Sequence, residues 1–245
     1  MQNPAFYFRD HPCLRAVIDA CLEGRAGHIM STGEHPVALR LDVGCYSILG
    51  GDPDSEDALS LVKGSGLARE LVYSGSTWKH LIQAVFPNAE DRSMMTFIPG
   101  DHAREWASRH RGDVSPNVHI APLTPESPAH GSLTPHGFQV HETPEAFFRH
   151  GFGFFIGHEG RMVALATTYT AARDKAEISI STDPRYRNQG FATSLAGTMV
   201  LECFRRGLTP HWSASNPVSQ RIARRVGFVE NGVCHVLESR GPNHG

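Results

Sequence analysis

Apolar residues recur along this chain with two periods, and the periods separate helices from strands. Between Leu14 and Leu22 they fall at helical spacing. Val37, Leu39, Leu41, Val43 and Cys45 instead alternate with other residues, as one face of a strand does. Gly50-Gly51-Asp52-Pro53 reads as a turn, and Ser55 is placed to cap a helix carrying Ala58, Leu59, Leu61 and Val62. A helix is expected over 77–85, stopped by Pro87, then a strand over 94–98. Asp101 is the expected cap of a helix running to about His110.

Gly112 to Asn117 reads as a boundary between an N-terminal α/β module, 1–115, and a second domain, 116–245. The second domain opens with a strand over 118–123, a helix start at Thr124-Pro125-Glu126 and an irregular loop holding Pro128, Gly131, Pro135 and Gly137. A helix over 142–149 follows, ended by Gly151. Strands over 152–156 and 162–169 are joined by hairpin residues Gly157-His158-Glu159-Gly160, and a third strand covers 176–182.

After that strand the pattern becomes chemical. Asp183-Pro184 makes a turn, Arg185-Tyr186-Arg187-Asn188-Gln189-Gly190 a loop, and Phe191-Ala192-Thr193 opens a helix. The helix carries Leu195, Met199, Val200, Cys203 and Phe204 on one face. A helix start offers unpaired N–H groups and the positive end of the dipole to a phosphate. Gly190 lets backbone approach closely, and Arg187 adds a forked, charged donor. Downstream, 210–215 reads as a strand and Asn216-Pro217 as the start of a helix with Val218, Ile222, Ala223 and Val226 on one face. Gly227-Phe228 closes it before a last strand over 233–238.

Arg187-Asn188-Gln189-Gly190-Phe191-Ala192 resembles the signature of the GNAT acetyltransferases: Arg or Gln, two residues, Gly, one residue, then Gly or Ala. Strand, turn, helix and the later Asn216 are ordered as in that family. Together with Gly151-Phe152-Gly153-Phe154 and Pro210-His211-Trp212, these motifs look most like the group that includes the zwittermicin A resistance acetyltransferases. The resemblance is weak over the first 112 residues or so.

It implies an α/β GNAT fold, a splayed mixed sheet flanked by helices, preceded by a smaller N-terminal α/β module, whose own alternating pattern admits a degenerate relative of the fold. It also implies acetyl-CoA as acyl donor, held in a V-shaped cleft between 176–182 and 210–215. Ser181 and Thr182 would pair with pantetheine. Arg187, Asn188, Gln189, Gly190, Phe191, Ala192 and Thr193 would hold the diphosphate. Asn216 and Ser219 would support the cleft, and of Arg221, Arg224 and Arg225, candidates for the 3′-phosphate and adenine end, Arg225 is favoured because the family often has a base there. Glu177 is the candidate general base.

The chain departs from the family at Ala223, where many members carry a Tyr that protonates the leaving thiolate. Ser219, Tyr169, Cys234 and His235 are the candidates to replace it. The implied acceptor is a primary amine of a small molecule, such as an antibiotic or amino metabolite. A protein acetyltransferase for Lys or N-termini, and an acetyl-CoA-binding module without turnover, are the alternatives.

Composition narrows the class but does not choose among these. A net charge of −2 leaves no footprint for nucleic acid or an anionic membrane. No apolar run reaches the ~20 residues of a membrane span. Met1-Gln2-Asn3-Pro4 lacks the basic and apolar regions of a signal peptide, so a cytoplasmic location is expected. Five scattered cysteines without a CxxC pair read as reduced thiols. His102, Glu105 and His110 do not have HExxH spacing, and no metal site is expected. The oligomeric state is left open.

Overall fold

The computed structural model describes residues 2–66, 69–110, 118–127, 133, 136–141 and 143–238. After a short 3-10 helix, Pro4–Phe8, the elements run α1 (Arg15–Leu22), β1 (His28–Met30), β2 (Ala38–Val43), β3 (Tyr46–Gly51), α2 (Glu56–Lys63), β4 (Glu70–Tyr73), α3 (Ser76–Val85), β5 (Glu90–Pro99) and α4 (Ala103–Arg109). Then come β6 (His119–Pro122), a 3-10 turn at His136–Gln139, α5 (Pro144–His150), β7 (Gly153–His158), β8 (Arg161–Ala171) and β9 (Lys175–Thr182). A second 3-10 turn, Pro184–Tyr186, leads to α6 (Phe191–Arg205), β10 (Thr209–Ala214), α7 (Pro217–Arg225) and β11 (Phe228–Glu238).

The chain forms two compact units: 1–94 with 232–245, and 95–231. In the first, the strand order is β1-β2-β3-β4-β11, antiparallel except where β3 and β4 run parallel. α2 starts where Ser55 accepts the Ala58 N–H, with Glu56 and Asp57 in its first turn and Lys63 in its last, each suited to the helix dipole. Ala58, Leu61 and Val62 of α2 and Trp78 and Ile82 of α3 pack on Leu49, Leu71 and Leu237.

The second unit has the order β5-β10-β9-β8-β7-β6, with β9 and β10 the parallel pair. Leu195, Met199, Val200 and Cys203 put the apolar face of α6 on Ile178 and Ala176 of β9. Under the opposite side, Phe147 of α5 and Leu133 pack with Phe155 and Leu165. The α/β architecture expected from the sequence is the architecture observed.

Four local readings change. Gly50-Gly51 is the end of β3 rather than a turn: Gly51 pairs with Ala38, and the strand ladder overrides the local preference of two glycines. α4 begins after His102 with no side-chain cap, so Asp101 does not cap it. Thr124-Pro125-Glu126 starts no helix; the Thr124 N–H bonds Ser127 Oγ in a turn. Cys13 and Cys234 form a disulfide, leaving Cys21, Cys45 and Cys203 outside any disulfide. The fold brings that pair's Cα atoms to 5.3 Å across 221 residues, a proximity invisible to spacing rules. Gly112 to Asn117, read as a boundary, lies outside the described residues, and the 115/116 division falls within the second compact unit.

No helix among the described residues is long and apolar enough to cross a membrane. None of their His, Cys, Asp and Glu side chains gather into a group of three suited to a metal.

Candidate active site

The site begins where two parallel strands part. β9 and β10 pair over three positions, Lys175 with Thr209, Ala176 with Pro210 and Glu177 with His211. Beyond them β9 stays with β8, as far as Thr182 opposite Ala164. β10 turns to β5, with Trp212 opposite Phe97 and Ala214 opposite Met95. The strands therefore open into a V, and a cavity of ≈ 1050 Å³ occupies the opening.

Most of the residues singled out in the sequence come together on its wall. Ser181 and Thr182 contribute from β9; Arg187, Asn188, Gly190, Phe191, Ala192 and Thr193 from the loop and the start of α6. Asn216, Ser219 and Arg225 contribute from the start and face of α7. Gln189 and Glu177 are not on the wall.

The loop turns through two left-handed residues, Asn188 (φ 63°) and Gly190 (φ 81°), the two residue types that adopt this conformation most readily. A Cβ added at Gly190 would meet nothing within 4 Å. The glycine thus supplies a backbone conformation and an open approach, not a packing contact. α6 starts there with no side-chain cap, so its first amides lack a partner from the preceding residue. Behind the loop, Asp183 Oδ1 accepts the Arg185 N–H at 2.9 Å, and its carboxylate pairs with the Arg185 guanidinium at 2.8 Å. Those bonds hold its carboxyl down at about 2, keeping the turn fixed at neutral pH.

α7 begins differently. Asn216 Oδ1 accepts the Ser219 N–H at 2.9 Å, so the residue expected to support the cleft is the helix cap. Ser219 Oγ accepts the Trp212 indole N–H at 3.0 Å, which fixes the hydroxyl and leaves its own hydrogen to donate. Arg221 joins Arg225 on the wall, one turn apart. Arg224 does not: it pairs with Glu230 and lies over the Phe97 ring.

Thr182 Oγ1 is buried without a hydrogen-bond partner, although Thr182 lines the cavity. Orphaned buried hydroxyls are uncommon and need a cause. A polar chain lying along β9 would satisfy it.

Glu177 sits at the fork itself, 5% exposed. Burial pushes its carboxyl up to about 7, against bonds from the Ser213 hydroxyl and N–H that favour the charged form. A carboxyl at that value exchanges protons near neutral pH. Ala223, at the family's Tyr position, is fully buried. Of the four residues considered as its replacement, Ser219 reaches the cavity wall. Tyr169 is buried beside an irregularity in β8, Cys234 is in the disulfide, and His235 lies against the Tyr73 ring in the other unit. Ile180, Tyr186, Val218 and Ile222 also line the cavity and were not singled out. They are apolar or aromatic, and nothing in their spacing marks them apart from core residues.

The comparisons with known proteins agree with this geometry. A GCN5-related N-acetyltransferase-like protein from Streptococcus suis superposes with a TM-score of 0.85 at 24% identity, covering 96% of each chain. A putative GNAT-family acetyltransferase from Novosphingobium aromaticivorans gives 0.59 at 18% identity over 93% of this chain and 97% of the other. A GCN5-related N-acetyltransferase from Kribbella flavida gives 0.58 at 16% identity over 93% and 96%. At these identities the likeness is one of fold. No curated protein matches. The GNAT acetyltransferase family pattern matches residues 7–236, so the chain belongs to the GNAT acetyltransferase family and is an N-acetyltransferase.

Proposed function

We propose that the protein transfers an acetyl group from acetyl-CoA directly to a primary amine of a small molecule, in the cytoplasm. The observation that carries this reading is the cavity at the parting of β9 and β10. It combines an uncapped, glycine-opened helix start, the orphaned Thr182 hydroxyl and two arginines on one face of α7. These suit, in order, a diphosphate, an amide-bearing arm and a further phosphate. Acetyl-CoA would supply the acyl group as a thioester.

In this reading Arg187 and the amides of 188–193 hold the diphosphate. Ser181 and Thr182 pair with the pantetheine arm, and Arg225 with Arg221 meets the adenine end. Glu177 takes a proton from the ammonium of the acceptor, through a water because the carboxyl is set back from the wall. Ser219 donates its hydroxyl hydrogen to the departing sulfur. A thiol leaves readily as thiolate, with a pKa of about 8.5, so this donation is a modest aid. The small-molecule acceptor rests on the resemblance to the zwittermicin A resistance group.

The test is calorimetry with acetyl-CoA, followed by CoA release across a panel of amines. Micromolar binding with turnover on small amines supports the reading. Binding without turnover on any amine or protein would favour a module that senses acetyl-CoA, which Ala223 and the recessed Glu177 make the specific competitor. Labelling of protein bands in an extract, with no turnover on small amines, would shift the acceptor to proteins.

A further inference from the structure

From β1 and again from β7, the chain runs twice through the same order of elements. In the first, a β1–β2–β3 antiparallel series is followed by α2, a parallel β4, α3 and then β5. In the second, the series β7–β8–β9 is followed by α6, a parallel β10, α7 and then β11. Each parallel pair makes three registered contacts: Tyr46, Ser47 and Ile48 with Glu70, Leu71 and Val72, and Lys175, Ala176 and Glu177 with Thr209, Pro210 and His211. Each half also gives away its last strand. β11, which follows α7, pairs antiparallel with β4, while β5, which follows α3, pairs antiparallel with β10.

The connections match at residue level. After the first strand of each parallel pair comes Asp-Pro: Asp52-Pro53 after β3 and Asp183-Pro184 after β9. Each Asp accepts the N–H two residues on, Asp54 at 3.0 Å and Arg185 at 2.9 Å. After the second strand come two residues beginning with Ser, Ser74-Gly75 before α3 and Ser215-Asn216 before α7. An Asx turn and a serine thus stand at equivalent places in equivalent elements, both drawn from common turn chemistry.

The halves differ where the phosphate loop lies. α2 starts three residues after Pro53, but α6 starts seven residues after Pro184. The four extra residues correspond in length to Arg187-Asn188-Gln189-Gly190. What remains at α2 repels an anion. Ser55 caps the helix, and Glu56 and Asp57 occupy its first turn, where α6 has no acidic residue. The Asp57 carboxylate accepts the Val37 N–H at 2.8 Å and the Thr32 hydroxyl. The end of β3 is also covered. A Cβ on Gly50 would lie 2.6 Å from the Phe8 ring and from the Tyr7 carbonyl, and one on Gly51 would lie 2.9 Å from the Tyr7 ring. Phe8 is fully buried there. At Gly190 the same construction meets open space.

We propose that the first half is a second copy of the acyl-CoA-binding fold without an acyl-CoA site, its strand end covered by the chain's own Pro4–Phe8 segment, so that each chain binds one acetyl-CoA through the loop between β9 and α6. The inference rests on the acetyl-CoA reading given above. Calorimetry on the full chain tests it by stoichiometry, with amide hydrogen exchange reporting where binding acts. One acetyl-CoA per chain is expected, none in Gly190→Asp, with slowed exchange at 187–193 and unchanged exchange at 52–58. Two per chain, one retained by Gly190→Asp, or slowed exchange at 52–58 would overturn the single-site inference and leave the cofactor reading standing. No binding by the unaltered chain would remove the cofactor reading and this inference with it.

Discussion

Two helix starts face the same cavity, and they are finished in opposite ways. α7 closes its own end: Asn216 accepts the Ser219 N–H, and Pro217 at the first position has no N–H to satisfy. α6 leaves its end open, with a left-handed glycine where a cap would be. A side-chain cap at the start of α6 would contribute about 1 kcal/mol. In the proposed reading a bound anion offsets the uncapped start of α6, which makes the open end the phosphate side of the cleft and the closed end its scaffold.

Filling the open end gives the largest effect. In Gly190→Asp a carboxylate enters the anion position and caps the amides from within. Asp is both a good cap and tolerant of left-handed backbone, so circular dichroism and melting should change little. Losing two charge-assisted bonds at 1.5–3 kcal/mol each weakens acetyl-CoA binding by about 100-fold or more. Unchanged affinity would end the argument from the uncapped helix.

Glu177→Gln comes next, since it leaves both helix ends intact. We expect acetyl-CoA affinity to be kept and kcat to fall about 100-fold. In the unaltered protein, activity should rise with pH through about 7 as Glu177 ionises, and the variant should lack that step. Stability runs the other way. The folded carboxyl titrates above its ordinary value of 4.5, so between there and about 7 the native state binds more protons than the unfolded. Stability conferred at low pH is therefore lost as pH rises across that window, and Glu177→Gln should melt higher than the unaltered protein above pH 7. A variant that keeps full kcat would make Glu177 a structural carboxyl.

Removing the closed end's cap is a smaller perturbation. Asn216→Ala should lower stability by about 1 kcal/mol and weaken acetyl-CoA binding only a few-fold, read by melting and calorimetry. If it abolished binding with an unchanged melt, Asn216 would be a ligand group and the contrast between the two helix starts would fail.

Much of this was legible in the sequence because its chemistry is contiguous. Arg187 to Thr193 forms the loop and first turn in one run, and Asn216-Pro217 writes cap and first helical residue side by side. What depends on register was not legible. Nothing in the spacing says that β9 and β10 stop pairing after Glu177 and His211, so the fork was expected from the family resemblance alone and the burial of Glu177 was not read. Gly50-Gly51 misled for the same reason: local preference favours a turn, while pairing with β2 and the close approach of Tyr7 and Phe8 make it a strand. The arginines show a signal that was available and unused. Arg221 and Arg225 are four apart and share a helix face, whereas Arg224 is out of phase and pairs with Glu230.

Ser219 is where the two helix starts meet the chemistry, and it carries the smallest expected effect. Its N–H is spent on Asn216 and its oxygen accepts the Trp212 indole, so one hydrogen remains, on the hydroxyl. Ser219→Ala keeps the first bond, removes the second and takes away that hydrogen. With a fair leaving group, kcat should fall only about 3–10-fold, in line with one hydrogen bond of about 0.5–1.5 kcal/mol. Ser219→Thr retains the hydroxyl and should restore most of the rate. A Trp212 merely loosened by the loss of its partner would disturb acetyl-CoA affinity as well as kcat. A fall in kcat with affinity unchanged therefore assigns the hydroxyl to the departing sulfur, and a fall in affinity alone makes Ser219 part of the scaffold that Asn216 caps.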